Sequence, residues 1–88
     1  MLRATYGTVL ASFMAMARGI GINLSGGYHH ACGYRGEGFC IYPDITIAIR
    51  MIRRFCGVRK VMIIDLDAHQ GNGHERDFID DEDVYIID

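Results

Sequence analysis

Two unbroken apolar runs, Val61 to Ile64 (VMII) and Val84 to Ile87 (VYII), constrain the fold more than any other feature, because each ends on an aspartate, Asp65 and Asp88. A run with no polar face to turn toward water predicts a strand buried on both sides, as in a parallel sheet covered by helices. The two carboxylates then fall at the carboxyl ends of the strands, where open α/β sheets gather their ligands. A third stretch, Gly19 to Ser25 (GIGINLS), is too short for a helix and reads as a further inner parallel strand.

Helices separate these runs. Ala4 to Arg18 is rich in good helix formers, and Gly19 stands where a helix end favours positive φ. From Asp44 to Phe55, Ile45, Ala48, Ile49, Ile52 and Phe55 recur at helical spacing behind Pro43, which a first turn tolerates. A short helical turn is expected over His74 to Ile79. The alternation predicts an α/β class with a parallel sheet flanked by helices. Gly26 to Phe39 carries glycine at 26, 27, 33, 36 and 38 and reads as one long loop. Three strands and two good helices cover a parallel sheet poorly, so residues 1–88 are expected to be part of a larger domain.

Composition removes several function classes. The net charge is −2, with no long Lys/Arg run to neutralise phosphates, so direct nucleic-acid binding is not expected. No apolar stretch approaches the roughly 20 residues of a membrane-spanning helix. Cys32, Cys40 and Cys56 are odd in number and lack CxxC spacing, which supports neither a disulfide framework nor a structural zinc site and fits an intracellular setting. Cys40, Cys56 and the methionines at 14, 16, 51 and 62 are expected to fill the core. Arg50, Arg53, Arg54, Arg59 and Lys60 are expected to form a solvated face.

The chemistry-bearing residues follow the strands. In IDLDAHQGNGH, Asp67 and His69 stand two residues apart and can turn a carboxylate oxygen and an imidazole nitrogen to one side, as a pair of divalent-metal ligands would. The spacing alone reads equally well as loop-capping aspartates followed by a surface imidazole. His29 and His30 lie in the glycine-rich loop, where an imidazole can serve as a general base near neutral pH or simply meet solvent. His74, followed by Glu75, reads as a helix start rather than a metal ligand. Cys32 near the two histidines also permits a cysteine hydrolase, although nothing in the sequence argues for an activated thiol.

Taken in order, GGYHHA at 26–31, GEGFC at 36–40 and DLDAHQGNG at 65–73 resemble the zinc-dependent histone deacetylase family. The continuations HERDF at 74–78 and VYIID at 84–88 look most like its class IV branch. The resemblance implies an arginase-like α/β fold and a lysine deacylase acting on acetyl or longer acyl groups of histones or other proteins. It implies Asp67 and His69 as zinc ligands, His29 and His30 as the tandem active-site histidines, and Asp65 and Asn72 as their hydrogen-bond partners. Class I members carry an Asp where this sequence has Asn72. Gly38 and Phe39 match residues lining the acyl-lysine channel. Asp65, Asp67 and His69 match carbonyl ligands of a monovalent cation, usually potassium, with Asp88 a further candidate.

The resemblance further implies corepressor or chromatin partners, no membrane, and a nuclear or cytoplasmic location. The family's third zinc ligand, an Asp, and its transition-state Tyr match no position in this sequence, and Tyr42 and Tyr85 do not fill the latter role. Two alternatives therefore stand beside the deacylase: a catalytically inactive product acting through protein interaction, and a deacetylase of small acylated amines.

Overall fold

A computed structural model describes all 88 residues. The element order is α1 (Leu2–Arg18), α2 (Asp44–Cys56), β1 (Val61–Ile64), α3 (Asn72–Asp77) and β2 (Val84–Ile87). It is a mixed α/β arrangement with one two-stranded parallel sheet, in register Val61 with Val84 through Ile64 with Ile87.

Both long helices end on a glycine in the left-handed region, as the sequence predicts for Gly19. Gly19 takes φ 94° and donates its N–H to the Ala15 carbonyl at 2.7 Å, and Gly57 closes α2 at φ 68°. Pro43 stands at the N-cap of α2, one residue before the helix, where its missing N–H leaves no gap in the ladder. The apolar stripe of α2 faces the sheet. Ile49, Ile63 and Phe78 form the buried core, with Ile45, Val61, Val84 and Ile86 packed around them. α1 lies across α2, and the rings of Phe13 and Phe55 meet at 6.5 Å.

Four expectations are corrected. Gly19 to Ser25 is not a strand: it pairs with no other strand and runs back along α1. Its alternate residues explain why. The Asn23 amide donates to the Ala4 carbonyl and to Thr8 Oγ1, both at 3.0 Å, and Gly21 sits so close to α1 that a Cβ there would lie 1.8 Å from the Ala11 oxygen. Ile20, Ile22 and Leu24 then point outward and are exposed.

The two true strands are covered on one face only. Their inward residues meet α2 and Phe78, whereas Met62, Ile64, Tyr85 and Ile87 are exposed, because no element of residues 1–88 packs on that side. For the same reason Met62 is not core filling. Met16 is exposed on α1, Cys56 is exposed at the end of α2, and Cys40 is only half-buried in the loop, leaving Cys32 as the buried cysteine. Finally, Arg53 leaves the solvated basic face to form a half-buried ion pair with Asp81.

The glycine-rich loop has little regular structure of its own, so its course is set by side chains that capture its backbone. Asp44, fully buried in the first turn of α2, accepts the N–H of Gly27 and of Tyr28, each at 2.7 Å, and the Thr8 hydroxyl at 2.6 Å. Asp77 in α3 accepts the N–H of Gly33 at 2.8 Å and the Thr46 hydroxyl at 2.7 Å. Two short backbone bridges, Cys32 with Arg35 and Glu37 with Cys40, fold the remainder.

Candidate active site

The loop delivers His29 and His30 directly after the segment clamped by Asp44, against the loop that follows β1 and the start of α3. Contact there is backbone on backbone: the Gly73 N–H donates to the His29 carbonyl at 2.8 Å. A Cβ on Gly73 would lie 2.1 Å from the Ala31 oxygen and 2.6 Å from the His30 carbonyl carbon, so only glycine permits the approach. From the other side, Gly38 lies against the His30 ring, and a Cβ there would come within 2.5 Å of Cδ2.

Each histidine is held through Nδ1 by a different partner. His29 Nδ1 meets Asp65 Oδ2 at 2.6 Å, and His30 Nδ1 meets Asn72 Oδ1 at 2.6 Å. The two rings are 4.2 Å apart. Both pairings are those the resemblance implies. Because a carboxylate and an amide oxygen only accept, the hydrogen of each bond sits on Nδ1 and the lone pair of each neutral ring on Nε2.

Asp65 does more than the sequence suggested. Its Oδ2 also faces His74 Nε2 at 2.9 Å, and its Oδ1 accepts the Asp67 N–H at 3.0 Å. Burial alone would raise its pKa, but the hydrogen bonds from His74, His29 and the Asp67 backbone prevail and hold it at about 2. His74 is thus not a free helix-start residue: it is almost wholly buried inside α3, and its Nδ1 has no partner. Neither its burial nor its link to Asp65 has a signal in the HERD pattern.

Asp67 and His69 converge at the exposed mouth of the site. Asp67 Oδ1 lies 3.1 Å from His69 Nδ1 and 3.8 Å from His29 Nε2. Hydrogen bonds from the His69 backbone and ring lower the Asp67 pKa. Two ligand atoms on one tetrahedral ion at ordinary bond lengths stand about 3.4 Å apart, so this pair fits a shared divalent metal with a shift of a few tenths of an ångström. His29, Asp65 and His74 also bring ligand-type atoms within 4.8 Å of one another. Their contacts of 2.6 and 2.9 Å to a single oxygen are hydrogen-bond lengths and leave no room for an ion between them.

The remaining predicted residues are more dispersed. Phe39 is fully exposed at φ 64°, beside Gly38 at φ 54°. The Asp88 carboxylate accepts the Gly71 N–H at 2.6 Å, which ties the end of β2 to the loop that carries Asp67 and His69. Glu37, for which the sequence offered no role, receives the Asn72 amide, Arg76 and Arg35.

With this geometry in hand, comparison with known proteins is specific. The histone deacetylase domain family matches residues 1–88. Histone deacetylase 2 of Arabidopsis thaliana is 52% identical over 82 residues, which is 93% of this chain and 21% of that protein. Acetoin utilization protein AcuC of Bacillus subtilis is 47% identical over 65 residues, 74% of this chain and 16% of that protein. The chain belongs to the histone deacetylase domain family. It spans between about a sixth and a fifth of the length of these curated relatives. No helix is long and apolar enough to cross a membrane.

Proposed function

We propose that residues 1–88 supply the centre of the active site of a zinc-dependent lysine deacylase with an arginase-like fold, nearest the class IV branch. The observation that carries this reading is the convergence of two histidines, each held through Nδ1, on the Asp67–His69 pair. Family membership and the names of the relatives support it.

Asp67 and His69 would hold the zinc, which when bound polarises the acyl carbonyl and makes a water acidic enough to attack. His30 accepts the proton of that water at Nε2, the nitrogen its bond to Asn72 leaves free, and returns it to the departing lysine amine. His29, oriented by Asp65, stabilises charge in the transition state. Gly38 and Phe39 border the lysine channel, and the open face of the Phe39 ring suits an aliphatic stem. The carbonyls of Asp65, Asp67 and His69, with Asp88, are the candidates for potassium. Substrates are acylated lysines of histones or other proteins, in a nuclear or cytoplasmic setting with corepressor or chromatin partners.

The test uses the complete polypeptide that contains these residues, assayed for bound zinc and for hydrolysis of an acetyl-lysine peptide. His30→Ala should lose at least roughly a hundredfold in rate with zinc retained, and Asp67→Ala should lose zinc. A full rate in the first variant or undiminished zinc in the second refutes the assigned roles.

A further inference from the structure

We infer that Glu37 is a positioning residue that fixes the amide orientation of Asn72 and, through it, the ring tautomer of His30. The inference rests on the reading of His30 as the general base.

An asparagine amide has two ends of nearly the same shape and opposite hydrogen-bonding character, so only its partners decide which way it turns. The Asn72 side chain has two partners, His30 Nδ1 on its oxygen at 2.6 Å and Glu37 Oε2 on its nitrogen at 2.7 Å. The histidine cannot decide, because a neutral imidazole nitrogen can donate or accept. The decision falls to Glu37, whose carboxylate has no hydrogen to offer and can only face the amide N–H.

Glu37 is itself well fixed. Arg76 donates to Oε2 at 2.8 Å, Arg35 donates to Oε1 at 3.0 Å, and the Glu37 backbone is locked to Cys40 by two hydrogen bonds of 2.9 and 2.8 Å. The Arg76 and Arg35 guanidiniums hold its carboxyl at about 2, so it is ionised wherever a histidine can act as a base. With the Asn72 nitrogen turned to Glu37, its oxygen faces His30, Nδ1 must carry the hydrogen, and the lone pair appears on Nε2. Without a forced orientation, a turned amide would present N–H to Nδ1 and put the hydrogen on Nε2, where it blocks proton abstraction.

The experiment compares Glu37→Gln, Asn72→Asp and the double variant in the complete polypeptide. Two readouts are used: steady-state hydrolysis of an acetyl-lysine peptide, and the His30 tautomer by nitrogen NMR of isotope-labelled histidine. Glutamine keeps the shape of Glu37 but can donate as well as accept, so E37Q should lower kcat roughly tenfold to a hundredfold, with KM little changed, and raise the Nε2–H population of His30. In the double variant the carboxylate introduced at position 72 has no hydrogen to offer, so Nδ1–H is restored, and the amide introduced at position 37 can donate to that carboxylate. Its kcat should recover most of the loss, whereas N72D alone sets two carboxylates against each other and should stay impaired.

A purely structural role for Glu37 in tethering Arg35 and Arg76 predicts no such recovery. A double variant as slow as E37Q, or an E37Q protein that keeps both its rate and its Nδ1–H tautomer, overturns the inference. If the unaltered protein hydrolyses no acyl-lysine, the functional reading fails separately. The NMR then decides alone: a tautomer shift in E37Q upholds the positioning role, and an unchanged tautomer removes it.

Discussion

Replacing Asp44 should destabilise the fold more than any change at the exposed mouth of the site, although Asp44 touches neither histidine ring. Both of its oxygens are in use: Oδ1 accepts the Tyr28 N–H, and Oδ2 accepts the Gly27 N–H and the Thr8 hydroxyl. Hydrogen bonds to a charged acceptor contribute about 1.5 kcal/mol or more each, and an orphaned donor adds its own desolvation cost. Asp44→Ala should therefore destabilise the fold by about 4 kcal/mol, a large share of the roughly 5–15 kcal/mol typical of a domain. Asp44→Asn tests the reasoning with the shape kept. Whichever way the amide turns, its NH2 meets a donor, so about 2 kcal/mol should still be lost. Urea unfolding of the complete polypeptide reads both values, and hydrolysis should fall with them because Tyr28 immediately precedes His29. An asparagine variant within about 0.5 kcal/mol of the parent would refute the claim that this carboxylate clamps the loop.

Three further outcomes follow from the same geometry. Gly73→Ala should lose roughly 1–3 kcal/mol in urea unfolding, because the new Cβ would meet the backbone of Ala31 and His30, which has no side-chain freedom with which to yield. Gly38→Ala should cost about 1–2 kcal/mol for its left-handed backbone and, by displacing the His30 ring, slow hydrolysis more than it weakens substrate binding. The pKa values of Glu37 and Asp65, each held at about 2 against ordinary values of 4.5 and 3.8, make the unfolded chain the better proton acceptor in acid. Their stabilisation is complete above about pH 4.5 and is lost as the pH falls toward 2, so urea midpoints should drop across that window and drop less steeply in Glu37→Gln. An acid limb that is the same in the variant would contradict this origin.

The legible parts of this chain are those where one residue type has one physical reading. The stripe from Ile45 to Phe55 could only be an amphipathic helix, and VMII and VYII could only be strands. The motifs that carry the family resemblance also lead to the pairings of His29 with Asp65 and His30 with Asn72, which the structure contains. The sequence misleads where a local pattern has two solutions. GIGINLS alternates glycine or asparagine with large apolar residues, which suits a strand but equally an extended segment whose small residues press on a helix, and the Asn23 bonds to Ala4 and Thr8 select the second. The roles of Asp44, Glu37 and His74 were illegible for another reason. Each depends on partners 9 to 39 positions away, and no periodicity reports a contact of that kind.

The long-range bonds also change the meaning of the acidic residues. A small negative charge on a chain like this invites the view that its carboxylates are solubilising surface. Several instead hold the backbone of segments that have no secondary structure. Asp44 takes Gly27 and Tyr28, Asp77 takes Gly33, and Asp88 takes Gly71. The glycines that let the loops approach one another closely carry no side chain with which to fix them, so rigidity has to come from acceptors on neighbouring elements. An ionised carboxylate suits that task, since it offers two oxygens and no competing donor. Site geometry is then set by charges seated in α2, in α3 and at the strand ends, and a carboxylate-to-amide change far from the histidine rings can disturb their alignment without touching them.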